Sequence, residues 1–118
     1  MQAVTFRMSA AAMDAAGWLE GQASFGRKEK NINEIVSAAK CAFQKIGKGG
    51  HFTFRCGDRE AAFIEDHLRA QGEVLVMSSE PLSRMRGRVL NKAADVVRKA
   101  IEEASDGGQS IRAAAFIP

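Results

Sequence analysis

Tyrosine is absent from this chain, and cysteine and tryptophan are scarce. Among the 118 residues there are two cysteines, one tryptophan and seven phenylalanines. Two cysteines are too few for the disulfide framework of a small secreted domain, so we expect a reducing, cytoplasmic compartment. So few aromatic side chains also argue against a surface on which many nucleic-acid bases stack.

Long hydrophobic runs are missing as well. The longest weakly polar stretch, MSAAAMDAAGWL, contains Asp14 and falls short of the roughly 18 apolar residues that a membrane-spanning helix needs. The first residues, MQAVTFRM, lack the basic region and the apolar run of a secretory signal. We therefore expect neither export nor a membrane partner.

No motif in the sequence specifies a reaction, a cofactor or a metal. The segment GKGGHF resembles a phosphate-binding loop, but it leads from a helix into a strand, whereas a P-loop leads from a strand into a helix. Cys56 precedes a helix, a position that lowers a thiol pKa, yet it shares a strand face with Phe52 and Phe54 and should be buried. No compact zinc spacing occurs among the soft ligands Cys41, His51, Cys56 and His67. We expect a non-catalytic protein without a cofactor.

What the chain does contain is the composition of one globular domain, with 46% hydrophobic and 26% charged residues. Alternation of apolar and polar residues predicts strands at AVTFRM and HFTFRC. The continuous apolar run VLVM (74–77) predicts a strand covered on both faces. The last predicted strand is IRAAAFI (111–117), with Ile111, Ala113, Ala115 and Ile117 on one side.

Capping residues and glycines divide the rest of the chain into four predicted helices. These span about residues 9–22, 31–46, 58–72 and 79–105. The resulting order, β-α-α-β-α-β-α-β, predicts an α/β (or α+β) fold in which helices pack on a four-stranded, mixed or mostly parallel sheet. We expect residues 1–118 to form a single domain.

Basic residues are concentrated near the start of the fourth predicted helix. Residues 80–100 contain six basic and two acidic side chains. The polar face of helix 80–105 and the loop 21–30 together present five candidate phosphate-binding residues: Arg27, Lys28, Arg84, Arg88 and Lys92. Nucleic-acid binding is therefore the alternative function, although no recognised nucleic-acid-binding motif accompanies these residues.

Arg86 is anomalous because it falls in the middle of the apolar half of this helix. The neighbouring Gly87 costs about 1 kcal/mol relative to alanine inside a helix. Three interpretations are open. The helix becomes regular only after Gly87; or Arg86 is buried against a carboxylate such as Glu60 or Asp66; or the apolar stripe is uncovered in the monomer and meets a partner, with Arg86 as an anchor.

Large side chains lie off the predicted core faces of the first and third helices and in the loop 21–30, and two more lie on the apolar half of the fourth helix beside Gly87. These form a candidate partner-binding set, because tryptophan, other aromatic residues and arginine are enriched at the centre of protein interfaces: Trp18, Phe25, Phe63, Met85 and Arg86. The favoured hypothesis is a small cytoplasmic interaction protein that binds another protein as a regulator, inhibitor or antiactivator. We also expect it to self-associate as a homodimer.

Overall fold

Two strands and four helices make up the part of the chain that the structure, a computed structural model, describes: residues 3–19, 25, 29–46 and 50–105. In chain order these elements are β1 (Val4–Ser9), α1 (Ala10–Ala15), α2 (Lys30–Ile46), β2 (His51–Cys56), α3 (Asp58–Val76) and α4 (Pro81–Ser105).

β1 and β2 pair side by side and run antiparallel, with Val4 opposite Cys56 and Ser9 opposite His51. The predicted mixed or mostly parallel four-stranded sheet in the order β-α-α-β-α-β-α-β is therefore wrong. VLVM does not form a strand, because α3 continues to Val76. The segment 111–117, predicted as the last strand, lies outside the described residues.

The predicted alternation along β1 and β2 is confirmed and supplies one side of the core. Val4, Phe6 and Met8 are buried along β1, while Phe54 and Cys56 are buried along β2. Phe6 and Phe54 are register partners, and their rings stack with centroids 5.1 Å apart. The buried stripes of α2, α3 and α4 complete the core, with Val36, Ile64, Leu68, Leu90 and Val97 among their members.

α1 is shorter than the predicted helix 9–22. The Ser9 hydroxyl accepts a hydrogen bond from the backbone N–H of Ala12, which starts the helix as expected. The helix stops because Gly17 adopts a φ of 77°, a region that glycine enters without steric cost. The N–H of Trp18 then donates to the carbonyl of Met13, and that of Gly17 to the carbonyl of Asp14. This C-terminal capping motif directs Trp18 into the core.

α3 and α4 form a hairpin whose helices approach closely at two glycines. A Cβ atom added to Gly87 would lie 2.7 Å from the backbone nitrogen of Val76 and 2.8 Å from the carbonyl oxygen of Gly72. Gly72 therefore does not end α3, and Gly87 does not interrupt α4. Both are buried where the helices cross. The interpretation that the fourth helix becomes regular only after Gly87 is wrong, since α4 is continuous from Pro81.

The turn of the hairpin is held by an arginine of α4. The Arg84 guanidinium donates hydrogen bonds to the carbonyl oxygens of Ser78 (3.1 Å) and Ser79 (2.9 Å). These carbonyls follow the end of α3, where a cation interacts favourably with the helix dipole. Arg84 thus has a structural role in closing the hairpin.

A buried carboxylate connects the two helices further along. Nε of Arg98, on α4, donates a hydrogen bond to Oε2 of Glu65 at 3.0 Å. Nη2 of Arg98 lies 2.9 Å from the other carboxylate oxygen, Oε1, where the two groups form an ion pair without hydrogen-bond geometry. Arg69 donates both to Glu65 and to Asp95. Glu65 itself is buried, while both arginines are partly exposed.

The described helices have no segment that is both long enough and apolar enough to cross a membrane.

Candidate functional site

Large apolar side chains surround the turn that joins α3 and α4. Val74 and Met77 are 73% and 85% exposed, and Leu82 and Met85 are 74% and 56% exposed. We call these four residues the hairpin-tip patch. Among the described residues, Val96 is the other large hydrophobic side chain with substantial exposure, at 46%. The exposed apolar surface is thus concentrated at one end of the hairpin.

Nothing in folding requires these side chains at the tip to be apolar. Full burial of a valine, leucine or methionine side chain contributes about 1.5–3 kcal/mol. A complex in which a partner covered the patch would therefore be stabilised. Contiguous exposed apolar surface often marks an interaction site. Methionine is suited to such a surface because its flexible, polarisable side chain adapts to different partners.

A cavity of about 610 Å³ adjoins the patch and shares Val74 with it. One wall is the end of α1 and the following turn, from Asp14 to Gly17; the other is α3 from His67 to Leu75, and α4 contributes Arg86. The volume lies in the range of about 300–1,000 Å³ that is typical of ligand sites.

Two polar side chains of this cavity have unused hydrogen-bonding capacity. Oε1 of Gln71 is buried and receives no hydrogen bond from the described residues, although buried acceptors are normally paired. Arg86 is exposed and forms no ion pair within the described part of the chain. The interpretation that pairs Arg86 with Glu60 or Asp66 is therefore wrong, and the guanidinium is available to a partner.

The predicted partner-binding residues divide into two groups in the structure. Met85 is exposed in the hairpin-tip patch, and Arg86 is exposed and lines the cavity. Trp18 is buried, and Phe25 and Phe63 are half-buried, in an aromatic cluster organised around His67. Met85 and Arg86 are thus accessible from solvent, whereas the cluster meets the cavity through His67, which lines it.

The aromatic residues of this cluster pack on His67 and on one another. The His67 ring stacks on Trp18 and on Phe63, with centroids 6.1 and 6.4 Å away, and Phe25 meets His67 edge-on at 4.9 Å. The backbone N–H of Phe25 donates to Oδ1 of Asn33 at 2.9 Å, which ties Phe25 to α2.

His67 makes the stability of the fold sensitive to pH. Burial lowers the pKa of His67 below its ordinary value of 6.5. The unfolded chain therefore binds the proton first as pH falls, and stability decreases below about pH 6.5 until the pH passes the lower folded pKa. Above pH 6.5 the contribution is fully present.

We expect urea denaturation of the wild type to show a larger loss of stability between pH 7.5 and 5 than His67→Phe shows. Replacement of the exposed His51 by glutamine is the control, and it should retain the wild-type pH dependence. Equal pH dependence of His67→Phe and the wild type would contradict this assignment.

The two cysteines lie in different environments. Burial, with the negative charges of Glu60 and Asp58, raises the pKa of Cys56 to about 11, so its thiol stays protonated at neutral pH. The predicted burial of Cys56 is confirmed. Cys41 is exposed on α2, and both thiols are free. No group of three or more potential metal ligands occurs among the residues that the structure describes.

The alternative nucleic-acid-binding set is only partly assembled. Arg88 and Lys92 are exposed along α4, but Arg84 is engaged with the turn carbonyls. Arg27 and Lys28 lie outside the described residues. The three described residues follow one another at helical spacing without an aromatic side chain between them, so they offer charge but no stacking platform.

Sequence reasoning missed Gln71, Val74, Met77 and Leu82 as members of the site. The predicted strand over 74–77 would bury Val74 and Met77, whereas the structure has them exposed at the end of α3. A signal was present in VLVMSSEPL, where apolar residues continue without a break into a polar turn. Such a pattern fits a helix that extends past the core equally well.

No family model, no curated protein and no solved structure was found to match this chain.

Proposed function

We propose that this is a small, non-catalytic interaction protein that docks another protein on the hairpin-tip patch and the adjoining cavity. The observation that carries the proposal is the concentration of Val74, Met77, Leu82 and Met85, each more than half exposed, around one turn. An interface core built on such residues, with an arginine at its edge, has the composition of a protein-binding surface.

A regulatory role of the inhibitor or antiactivator type fits this architecture. The hairpin is braced by the glycine crossing and by the Glu65 ion pairs, so its tip is presented on rigid helices. A rigid surface loses little conformational entropy on binding. Two free cysteines agree with a cytoplasmic location.

Self-association of the chain remains a separate prediction. A symmetric dimer formed tip to tip would bring Arg86 and Arg88 of one copy near those of the other, and like charges at an interface are unfavourable. A homodimer is therefore expected to use a surface other than the hairpin tip. Sedimentation equilibrium of the full chain measures this, and a species of 12.7 kDa at all concentrations would contradict it.

The double substitution Leu82→Ser, Met85→Ser is expected to weaken partner binding by about 30-fold, since hot-spot residues contribute about 2 kcal/mol or more. A photo-crosslinking amino acid at position 77 would first capture and identify the partner, and titration of the purified partner would then give the affinities. The substitutions remove exposed side chains, so the unfolding midpoint should change little.

Val96→Ser is the matched control, because Val96 is an exposed apolar residue on the same helix away from the tip. Its affinity should stay within about threefold of the wild type, well under the 1.4 kcal/mol that separates tenfold changes. Unchanged binding by the double variant would contradict the proposed function.

Nucleic-acid binding makes a different prediction that one titration tests. Affinity for a DNA duplex would fall steeply with salt, with a log–log slope of about −0.9 for each phosphate contacted. Lys92→Gln and Arg88→Gln would each reduce that slope. We expect no binding at physiological salt, because Arg84 is engaged elsewhere and Arg88 and Lys92 alone make a small contact set.

A further inference from the structure

We infer that the partner segment is acidic and amphipathic: an apolar side chain enters the cavity beside the patch, while a carboxylate within four positions of it pairs with Arg86. This inference rests on the proposed function and specifies the chemistry of its partner. It follows from the lining of the cavity, from the unpaired Arg86 and from the charges around the tip.

The lining defines what can enter the cavity. Small or apolar residues supply most of its walls, among them Ala15, Ala16, Ala70, Val74 and Leu75. An apolar side chain is preferred there, because burying a charged group without a partner is costly. Since Val74 belongs to both the patch and the cavity, a segment that covers the patch passes over the cavity mouth.

The polar side chains that line the cavity determine where the carboxylate of the partner segment lies. Oε1 of Gln71 receives no hydrogen bond from the described residues, but it is enclosed by the protein and is not offered to a partner. Arg86 provides a guanidinium that pairs with a carboxylate in a bidentate manner. Asp14 on the α1 wall is exposed and disfavours a carboxylate on that side, so the acid is placed at the Arg86 side.

Charge around the tip selects an acidic partner over a second copy of this chain. Residues 81–92 contain three arginines and one lysine but no acidic residue. Glu73 and Glu80 are exposed nearby, and they leave a net positive charge across the start of α4. A second copy would present the same positive charge, whereas an acidic segment complements it.

The test uses the segment of the partner that is crosslinked from position 77, mapped by mass spectrometry. We expect an apolar residue with aspartate or glutamate within four positions. A synthetic peptide of that segment and its counterpart with glutamine or asparagine in place of the acid are then titrated against the full chain and against Arg86→Gln. With the acidic peptide, Arg86→Gln should weaken binding about tenfold or more; with the neutral peptide, it should change the affinity less than twofold.

Arg88→Gln is the charge-matched control, since Arg88 is exposed on α4 but does not line the cavity. It should weaken the acidic peptide by less than threefold and change the affinity of the neutral peptide less than twofold. Ala70→Trp should fill the cavity from its exposed rim and abolish binding of the acidic peptide, while the unfolding midpoint changes little.

Several results would overturn the inference. These are a crosslinked segment without acidic residues, a crosslink to a second copy of this chain, an equal effect of Arg86→Gln on both peptides, and unchanged binding by Ala70→Trp. Binding of the tip to anionic phospholipid vesicles in place of a protein would also overturn it. If the crosslinked partner is another protein and Leu82→Ser, Met85→Ser still weakens its binding about 30-fold, the proposed docking site stands and only the assigned chemistry fails.

Discussion

Replacement of Gly87 by alanine is expected to destabilise the protein by about 3 kcal/mol, at the upper end of the usual cost of overpacking. The added methyl group would lie 2.7 Å from the Val76 nitrogen and 2.8 Å from the Gly72 carbonyl oxygen. Both contacts are with backbone atoms, so no side-chain rotation relieves them and the helices must separate. Urea denaturation followed by circular dichroism measures the change in unfolding free energy.

Whether Gly87→Ala lowers or raises the unfolding free energy shows which property of Gly87 matters more, its close packing against α3 or its low helix propensity. Helix propensity alone would make the alanine variant more stable by about 1 kcal/mol. Gly57→Ala is the control, because there the added methyl group meets only the carboxylate end of the flexible Glu60 side chain. The cost at this helix N-cap should be within about 1 kcal/mol. A Gly87→Ala variant as stable as the wild type would contradict the close crossing.

The same glycines explain why the fold prediction failed in the second half of the chain. Gly72 has the local features of a helix stop, and the apolar residues that follow it have those of a buried strand. Only contact with Gly87, fifteen positions later, makes Gly72 a packing residue inside a longer helix. Such information is non-local, whereas strand β1, strand β2 and helix α2 follow from periodicity and capping within their own segments.

The candidate site shows the same division between local and non-local information. The anomaly at Arg86 was visible in the helical pattern, because a charged residue interrupted an apolar face. The cavity was not visible, since its walls come from the end of α1, from α3 and from α4. The partners of Glu65 were also hidden: the carboxylate lies within the buried stripe of α3, but Arg98 is 33 positions away.

The double substitution Arg69→Ala, Arg98→Ala removes both ion-pair partners of Glu65. It is expected to lower the unfolding free energy by about 3 kcal/mol. Breaking a buried ion pair costs about 3–5 kcal/mol when it leaves a charge uncompensated. The lower end applies here because both arginine side chains are partly exposed, and water can approach the carboxylate once they are gone. Asp95→Asn, which removes only the exposed partner of Arg69, should cost less than about 1 kcal/mol.

A third substitution distinguishes the buried charge from lost packing as the cause. Glu65→Gln in the double variant removes the uncompensated charge and leaves the shape of the side chain unchanged, so it should restore more than half of the lost stability. If packing of the arginine side chains were the main contribution, the triple variant would be no more stable than the double variant. Urea denaturation at constant pH and salt compares all four proteins. Recovery in the triple variant would show that Glu65 needs its arginines because it is charged and buried where α3 packs against α4.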